Sequence, residues 1–182
     1  MTEYSPTGVL STTITDGIDY PYAIAIDALG GIWVENNFNT VTVYPAFGFS
    51  PPVPIKTYPF SSPVTGVAAC KAWMTFGGNS EITLQEAGPF LSGTYTIYSL
   101  LQSSAYSLAC DPAGNLYSGT LQDTLNVSNV TTGTASQLVN LGYFAFGIAV
   151  DSVRARVYVS DGNHNKINVY STTTGALLHT IQ

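Results

Sequence analysis

Four short polar segments, about 40 residues apart, hold most of the side chains in this chain that can do chemistry. They are Glu35-Asn36-Asn37-Phe38-Asn39, Thr75-Phe76-Gly77-Gly78-Asn79, Gly119-Thr120-Leu121-Gln122-Asp123 and Ser160-Asp161-Gly162-Asn163-His164. Together they offer the carboxylates of Glu35, Asp123 and Asp161 and the neutral oxygens of Asn37, Asn79 and Asn163. A hard cation such as Ca²⁺ takes about six to eight oxygen ligands of these kinds. The six residues are therefore a candidate set for Ca²⁺ or another divalent cation. His164 follows Asp161 by three residues, and an imidazole beside a carboxylate is suited to general-base work. The same residue types also have a structural use. Acidic side chains cap tight turns by accepting nearby N–H groups, and Asn tolerates turn conformations. Both uses stay open at this point. The other histidine, His179, lies in an apolar-polar strand pattern, ALLHTI, and reads as a surface residue. The chain has no G-x-S-x-G elbow and no Gly-rich phosphate loop leading into a helix.

The elements that must position these segments come from an internal repeat, which is read before any single element. Gly147–Gln182 reads as four short strands: GIAV ending at Asp151, RVYVS ending at Asp161, KINVYS, and ALLHTI after Thr-Thr-Thr-Gly. An aromatic in the second strand serves as a ruler: Trp33, Trp73, Tyr117 and Tyr158, spaced 40, 44 and 41. Asp27, Asp111 and Asp151 each follow a short inner strand and read as turn starters. Four strands in a period of about 40–45 residues make one β-propeller blade. The expected fold is thus all-β, a β-propeller of four-stranded antiparallel blades, with a single domain over 1–182. Full blades are expected at 21–60, 61–102, 103–142 and 143–182.

Residues 1–20 are a half blade. TEYSPTGVLSTTI matches INVYSTTTGALLHTI, with Tyr4 on Tyr170, Gly8 on Gly175 and Ile14 on Ile181. That gives about four and a half blades, and an open ring leaves apolar faces and a sheet edge exposed. Either the chain belongs to a longer propeller, or copies close a ring through their ends. The second reading predicts a homo-oligomer, with a dimer favoured, joined by the N-terminal half blade and the C-terminal blade. The stretch 50–59, with its prolines, can only be an edge strand or a loop. In a propeller, the loops between second and third strands converge at the mouth of the central channel. Tyr22, Tyr106, Phe144 and Phe146 lead into inner strands at the same end, as a candidate apolar ligand pocket or as packing between blades. Cys70 and Cys110 lie near the ends of adjacent inner strands at offsets of opposite parity. That predicts two free buried thiols.

Composition narrows the function classes. Of 182 residues, 45% are hydrophobic and only 9% charged, too few charges for helices with solvated faces. The net charge of −6 comes with five Lys plus Arg, so no basic stripe exists for nucleic acid or for anionic membranes. No apolar run approaches the ~20 residues that span a bilayer. The opening MTEYSPTGVL has neither the basic nor the apolar region of a signal peptide. The chain is cytoplasmic or the trimmed part of something exported. Its low charge and abundant Thr, Ser and Asn lean toward an extracellular or periplasmic setting.

The segment VYVSDGNHNKINVYS resembles the signature of NHL-type propeller repeats through Asp161, Asn163, His164, Asn165, Ile167 and Val169. IWVENNFNTVTVY keeps part of it, with Glu35 read at the Asp161 position and Asn39 at the Asn165 position, while Thr75 and Gly119 stand near the acidic position elsewhere. TEYSPTG with PYAIAIDALGGIWVEN is similar to repeats of the virginiamycin B lyase group. The resemblance implies a propeller that binds a ligand or partner at its channel mouth. The more distant resemblance to gluconolactonase and paraoxonase propellers implies the alternative: a hydrolase of lactones or phosphoesters, with a divalent ion in the channel polarising substrate and activating water.

Overall fold

The computed structural model describes residues 1–37, 39–46, 53–60, 63–71, 73–78, 82–86, 94–97 and 104–182. Short alternating segments, separated by Gly, Asp and Asn turns, form strands. The described residues contain eighteen strands and no helix. Strands β1 (Thr2–Tyr4) and β2 (Leu10–Thr13) pair alone. Four four-stranded sheets follow. The first is β3 (Pro21–Ile26), β4 (Ile32–Asn36), β5 (Thr40–Tyr44) and β6 (Lys56–Pro59); the second is β7 (Val64–Cys70), β8 (Trp73–Gly78), β9 (Ile82–Glu86) and β10 (Thr94–Ile97). The third is β11 (Ala105–Cys110), β12 (Asn115–Thr120), β13 (Thr124–Asn129) and β14 (Ala135–Asn140); the fourth is β15 (Ala145–Asp151), β16 (Arg156–Asp161), β17 (Lys166–Ser171) and β18 (Leu177–Ile181). Each sheet is an antiparallel meander in chain order, and the proline-rich stretch ends in an edge strand, β6.

The first strands β3, β7, β11 and β15 lie side by side, so the sheets stack face to face around a common axis. Side chains alternate between the two faces of a strand, and here both faces are covered. In β4, Trp33 joins the core shared with the second sheet, while Ile32 and Val34 join a core with Ile14, Met1 and Ile18 of the N-terminal segment. Close approach of neighbouring sheets shows at two glycines. A Cβ on Gly77 would lie 2.8 Å from the Ala105 carbonyl oxygen, and one on Gly119 would lie 2.6 Å from the Ala145 Cβ. The turn after each of three first strands is held by its aspartate. Asp27 accepts the Leu29 and Gly31 N–H groups and the Trp33 indole N–H at 2.8 Å. Asp111 accepts the Asn115 N–H at 2.9 Å, and Asp151 accepts the Arg154 N–H at 3.1 Å.

The register corrects the aromatic ruler. Trp33, Tyr117 and Tyr158 stand opposite Ala25, Ala109 and Ala149, and the residue at that post in the second sheet is Thr75, opposite Ala68. Residues 33, 75, 117 and 158 give spacings of 42, 42 and 41, more even than the aromatics alone. Trp73 instead stands at the end of the ladder, opposite Cys70.

The structure also overturns the expectation of free thiols. Cys70 and Cys110 form a disulfide, with Cα atoms 5.3 Å apart, a span that suits the bond. The opposite parity was read correctly, but its consequence was not. Pointing to opposite faces of their own sheets aims Cys70 forward and Cys110 backward, into the one interface that the second and third sheets share. The bond closes a separation of 40 residues, which the chain-entropy relation values at roughly 4 kcal/mol. We expect Cys70→Ala/Cys110→Ala to lose about 2–4 kcal/mol in denaturant unfolding, and reductant to destabilise the parent chain but not this variant. Equal reductant sensitivity in both would show that the bond does not hold the interface.

Candidate functional site

At the end of the stack where second strands turn into third strands, the fourth sheet presents a built pair. Asp161 closes β16 and is buried. Its carboxylate accepts the His164 backbone N–H at 3.2 Å and meets the ring Nδ1 at 2.8 and 2.9 Å. Lys166 Nζ approaches to 3.6 Å. A carboxylate only accepts, so Nδ1 carries a proton, and a neutral ring in this pose has its lone pair on Nε2. The His164 side chain is 61% exposed, leaving that lone pair toward solvent. This is the tautomer a general base requires.

Three of the four aromatics named for a pocket meet beside this turn. Tyr106 and Phe144 lie edge to face at 4.7 Å, and Phe144 and Phe146 at 4.6 Å. The Phe146 ring lies so close to Gly162 that a Cβ there would fall 2.6 Å from it. Glycine is what lets this ring reach the Asp161–His164 turn. Phe146 is exposed while Tyr106 and Phe144 are half-buried, so the cluster offers an apolar surface next to a hydrogen-bonding imidazole. Tyr22, the fourth aromatic, instead lines a dent of about 230 Å³ with Met1, Pro21, Ala23, Ile24 and Val34.

The oxygen set is spread out. Asp123 sits at a left-handed turn position, its N–H donating to Thr120 O and its carbonyl accepting from Leu141. Asn37 also has a left-handed backbone, and its amide reaches Asp19 at 3.4 Å. Asn163 is exposed in the turn after Asp161. Asn79 lies outside the described residues. Among the described residues no three His, Cys, Asp or Glu side chains come together as a metal group.

Glu35 requires a correction. It does not stand at the Asp161 position. Asp161 faces the first residue of β15, and the residue in that register in the first sheet is Asn36, opposite Pro21; Gly78 and Thr120 hold the post in the other two. Thr75 and Gly119 therefore do not stand there either. Asn36 is buried, accepts the Asp19 N–H at 3.1 Å, and donates to Gly17 O and Thr42 Oγ1. Counting three residues on from the aromatic finds the post in both cases, Trp33 to Asn36 and Tyr158 to Asp161. Glu35 points to the other face, into the core between the first and second sheets, in the row Ala23–Glu35–Val41–Tyr58. It is fully buried and neither carboxylate oxygen has a partner. Burial pushes its pKa up to about 7, because a low-dielectric site disfavours the charged form.

No protein-family model and no curated protein matches the chain. Solved structures are similar to it, two of them as follows. Apo AztD from Citrobacter koseri superposes with a TM-score of 0.61 at 18% identity, covering 89% of this chain and 47% of that one. The WD40 domain of Neurospora crassa Pan2 superposes with a TM-score of 0.70 at 10% identity, covering 89% of this chain and 49% of that one. The chain thus spans about half the length of each. At such identities the likeness speaks for fold alone: with its four-stranded antiparallel sheets and no helix among the described residues, the chain is a β-propeller.

The buried Glu35 gives a signed pH dependence. Its folded pKa lies above the unfolded value, so the native state binds more protons between about pH 4.5 and 7. Stability must fall as pH rises through that window and level off above it. The full effect is about 3 kcal/mol. Glu35→Gln removes this slope and is more stable than the parent at pH 8. Urea midpoints measured from pH 4 to 8 test it; a slope unchanged in the variant would place the titration elsewhere.

Proposed function

We propose that this chain is a propeller interaction module, an open arc that closes with a second copy and binds its ligand at the channel mouth so formed. The observation that carries this reading is the pair of apolar faces at its two ends. At the N-terminal end, Tyr4 and Leu10 are paired across β1 and β2, in the register that Tyr170 and Leu177 hold in the fourth sheet. Tyr170 is buried against Tyr143, Val157 and Val159, whereas Tyr4 is exposed; Leu10 is exposed, as is its counterpart Leu177. At the other end, the open face of the fourth sheet carries Ala149, Tyr158 and Ile167, with two shallow dents reaching Ser160 and Ile181. Face-to-face sheet packing buries such surfaces in pairs.

Charge favours the same contact. Residues 1–55 contain Glu3, Asp16, Asp19, Asp27 and Glu35 and no Lys or Arg; residues 143–182 contain Arg154, Arg156 and Lys166 against Asp151 and Asp161. Both of those aspartates are engaged, by Arg154 and by His164 with Lys166. An acidic end therefore meets one with a small cationic excess, three cations against two carboxylates, head to tail. The disulfide suits an oxidising compartment. The Tyr106–Phe144–Phe146 cluster with the Asp161–His164 pair is the part of the mouth best built to hold a ligand. The Asp161–His164 turn supports the NHL-type resemblance. We favour binding over divalent-metal hydrolysis, since Glu35, Asp123 and Asp161 stand at separate registers. A lyase reading rests only on His164 as a base.

Light scattering of the parent chain should give twice 19.3 kDa. Leu10→Asp and Ile167→Asp should each be monomeric, and mixing the two should recover a dimer, since one intact head and one intact tail remain. Failure of the mixture to associate, with a dimeric parent, would mean a symmetric contact instead; a monomeric parent would overturn the reading.

A further inference from the structure

The joint between the first and second sheets is built differently from the other two at its mouth end. The residue one before the Asp161 post is Gly77 in the second sheet, Gly119 in the third and Ser160 in the fourth. Small residues stand there because the next first strand passes close. A Cβ on Gly77 would meet Ala105, and one on Gly119 would meet Ala145, the residues that open β11 and β15. In the first sheet the same place holds Glu35, and the residue that opens β7 is Val64. Both partners are larger, so this joint cannot close backbone to backbone as the other two do. The glutamate stands in it as a wedge.

The wedge has nothing polar to hold. Glu35 is fully buried and neither carboxylate oxygen has a partner. Its own sheet sets Ala23, Val41 and Tyr58 in its row. The second sheet contributes Val64 and Val67 of β7 and Met74 and Phe76 of β8 to the same core. Of these residues only Tyr58 titrates. The charged group that meets the row is Lys56, whose ammonium lies 4.4 Å over the Tyr58 ring. Among the described residues no metal-type group of His, Cys, Asp or Glu includes Glu35. Water is close by: Asn37, Asn39 and Pro59, at the mouth end of the same sheet, are exposed, and the half-buried Phe60 packs on Phe76 at 5.2 Å.

We infer that Glu35 makes this joint proton-operated: with the carboxyl neutral the mouth end stays shut, and ionisation opens it locally until water reaches the carboxylate. A neutral carboxyl is tolerated in an apolar joint, whereas a carboxylate without donors must be solvated. Burial is what raises its pKa to about 7, so between about pH 4.5 and 7 the shut joint keeps the proton and the open one releases it. Opening therefore gains as pH rises through that window and gains no more above it. This goes beyond a loss of overall stability, because it places the opening. Glu35 is one residue from the end of β4, so only the mouth ends of the strands need part, while β7 stays tied at its far end by the Cys70–Cys110 disulfide. The device needs neither a second copy nor a ligand.

The test places a thiol across the joint, as Val64→Cys in the full chain with the native disulfide kept. Alkylation by iodoacetamide is followed by peptide mass, and each rate is divided by that of the same chain unfolded in urea at the same pH. The ratio should rise roughly fiftyfold from pH 5 to 8, with most of the rise below pH 7. Adding Glu35→Gln should make it flat. Val157→Cys, at a fully buried position between the third and fourth sheets, reports global unfolding and should react at least tenfold more slowly at pH 8. A ratio without a slope, a slope that survives Glu35→Gln, or equal rates at the two thiols overturns the inference.

Discussion

The four-stranded sheets pack against one another through both faces, and that constraint governs the rest. A sheet with one wet face alternates apolar and polar residues, but in the first sheet the middle strands β4 and β5 are buried almost throughout. Ile32, Trp33, Val34, Glu35 and Asn36 of β4 are all inaccessible. Such a sheet is stable only with a neighbour on each side, so the four stack in an arc and the polar residues among them must find partners inside the stack or go without. Thr75 Oγ1 donates to Ala68 O, and Asn36 is fully engaged. Glu35 goes without, and its carboxyl is held toward the neutral form instead.

The three interfaces solve the packing differently. Between the first and second sheets the filling is aromatic, with Trp33 stacked on Tyr58 at 5.8 Å and tilted against Phe76 at 5.9 Å. Between the third and fourth, Tyr143 and Tyr170 bring their hydroxyls to 3.0 Å inside a valine-rich core. Between the second and third the buried residues are small: Ala68, Cys70, Ala105, Leu116 and Val130. That same interface holds Asn126 Oδ1 and Ser128 Oγ without partners. The disulfide sits here, adding a covalent link across the interface.

Much of the fold was legible because three of the four repeats state it in the same chemistry: an aspartate after the inner strand and an aromatic six or seven residues on, with a glycine turn before the outer strand in the last two. What stayed hidden was register. A one-residue slip exchanges the two faces of a strand, and the first strands carry irregular pairing near their starts, between Pro21 and Ala23, Val64 and Gly66, Ala105 and Ser107, and Ala145 and Ile148. Counting from either side of such a bulge gives a different answer. This is how Glu35 came to be placed at the Asp161 post. The cysteines failed for another reason. Parity within one strand says nothing of which faces meet until the stacking of sheets is known.

The Asp161–His164 pair is best understood through the post it occupies. The residue three after the aromatic closes the second strand and anchors the turn that follows. Thr120 does this by accepting the Gln122 and Thr124 N–H groups at 3.3 and 3.4 Å. Asn36 does it by tying β4 to Gly17, Asp19 and Thr42. Asp161 does it by accepting the His164 N–H. Among the described residues, only in the fourth sheet does the anchor have an acceptor to spare and an imidazole within reach, and only there does a glycine admit an exposed aromatic ring beside it. Three of the four sheets place an anchoring side chain at this post, Gly78 holding it in the second; the choice of Asp, followed by Gly162 and His164, sets an imidazole and an exposed ring side by side at one of them.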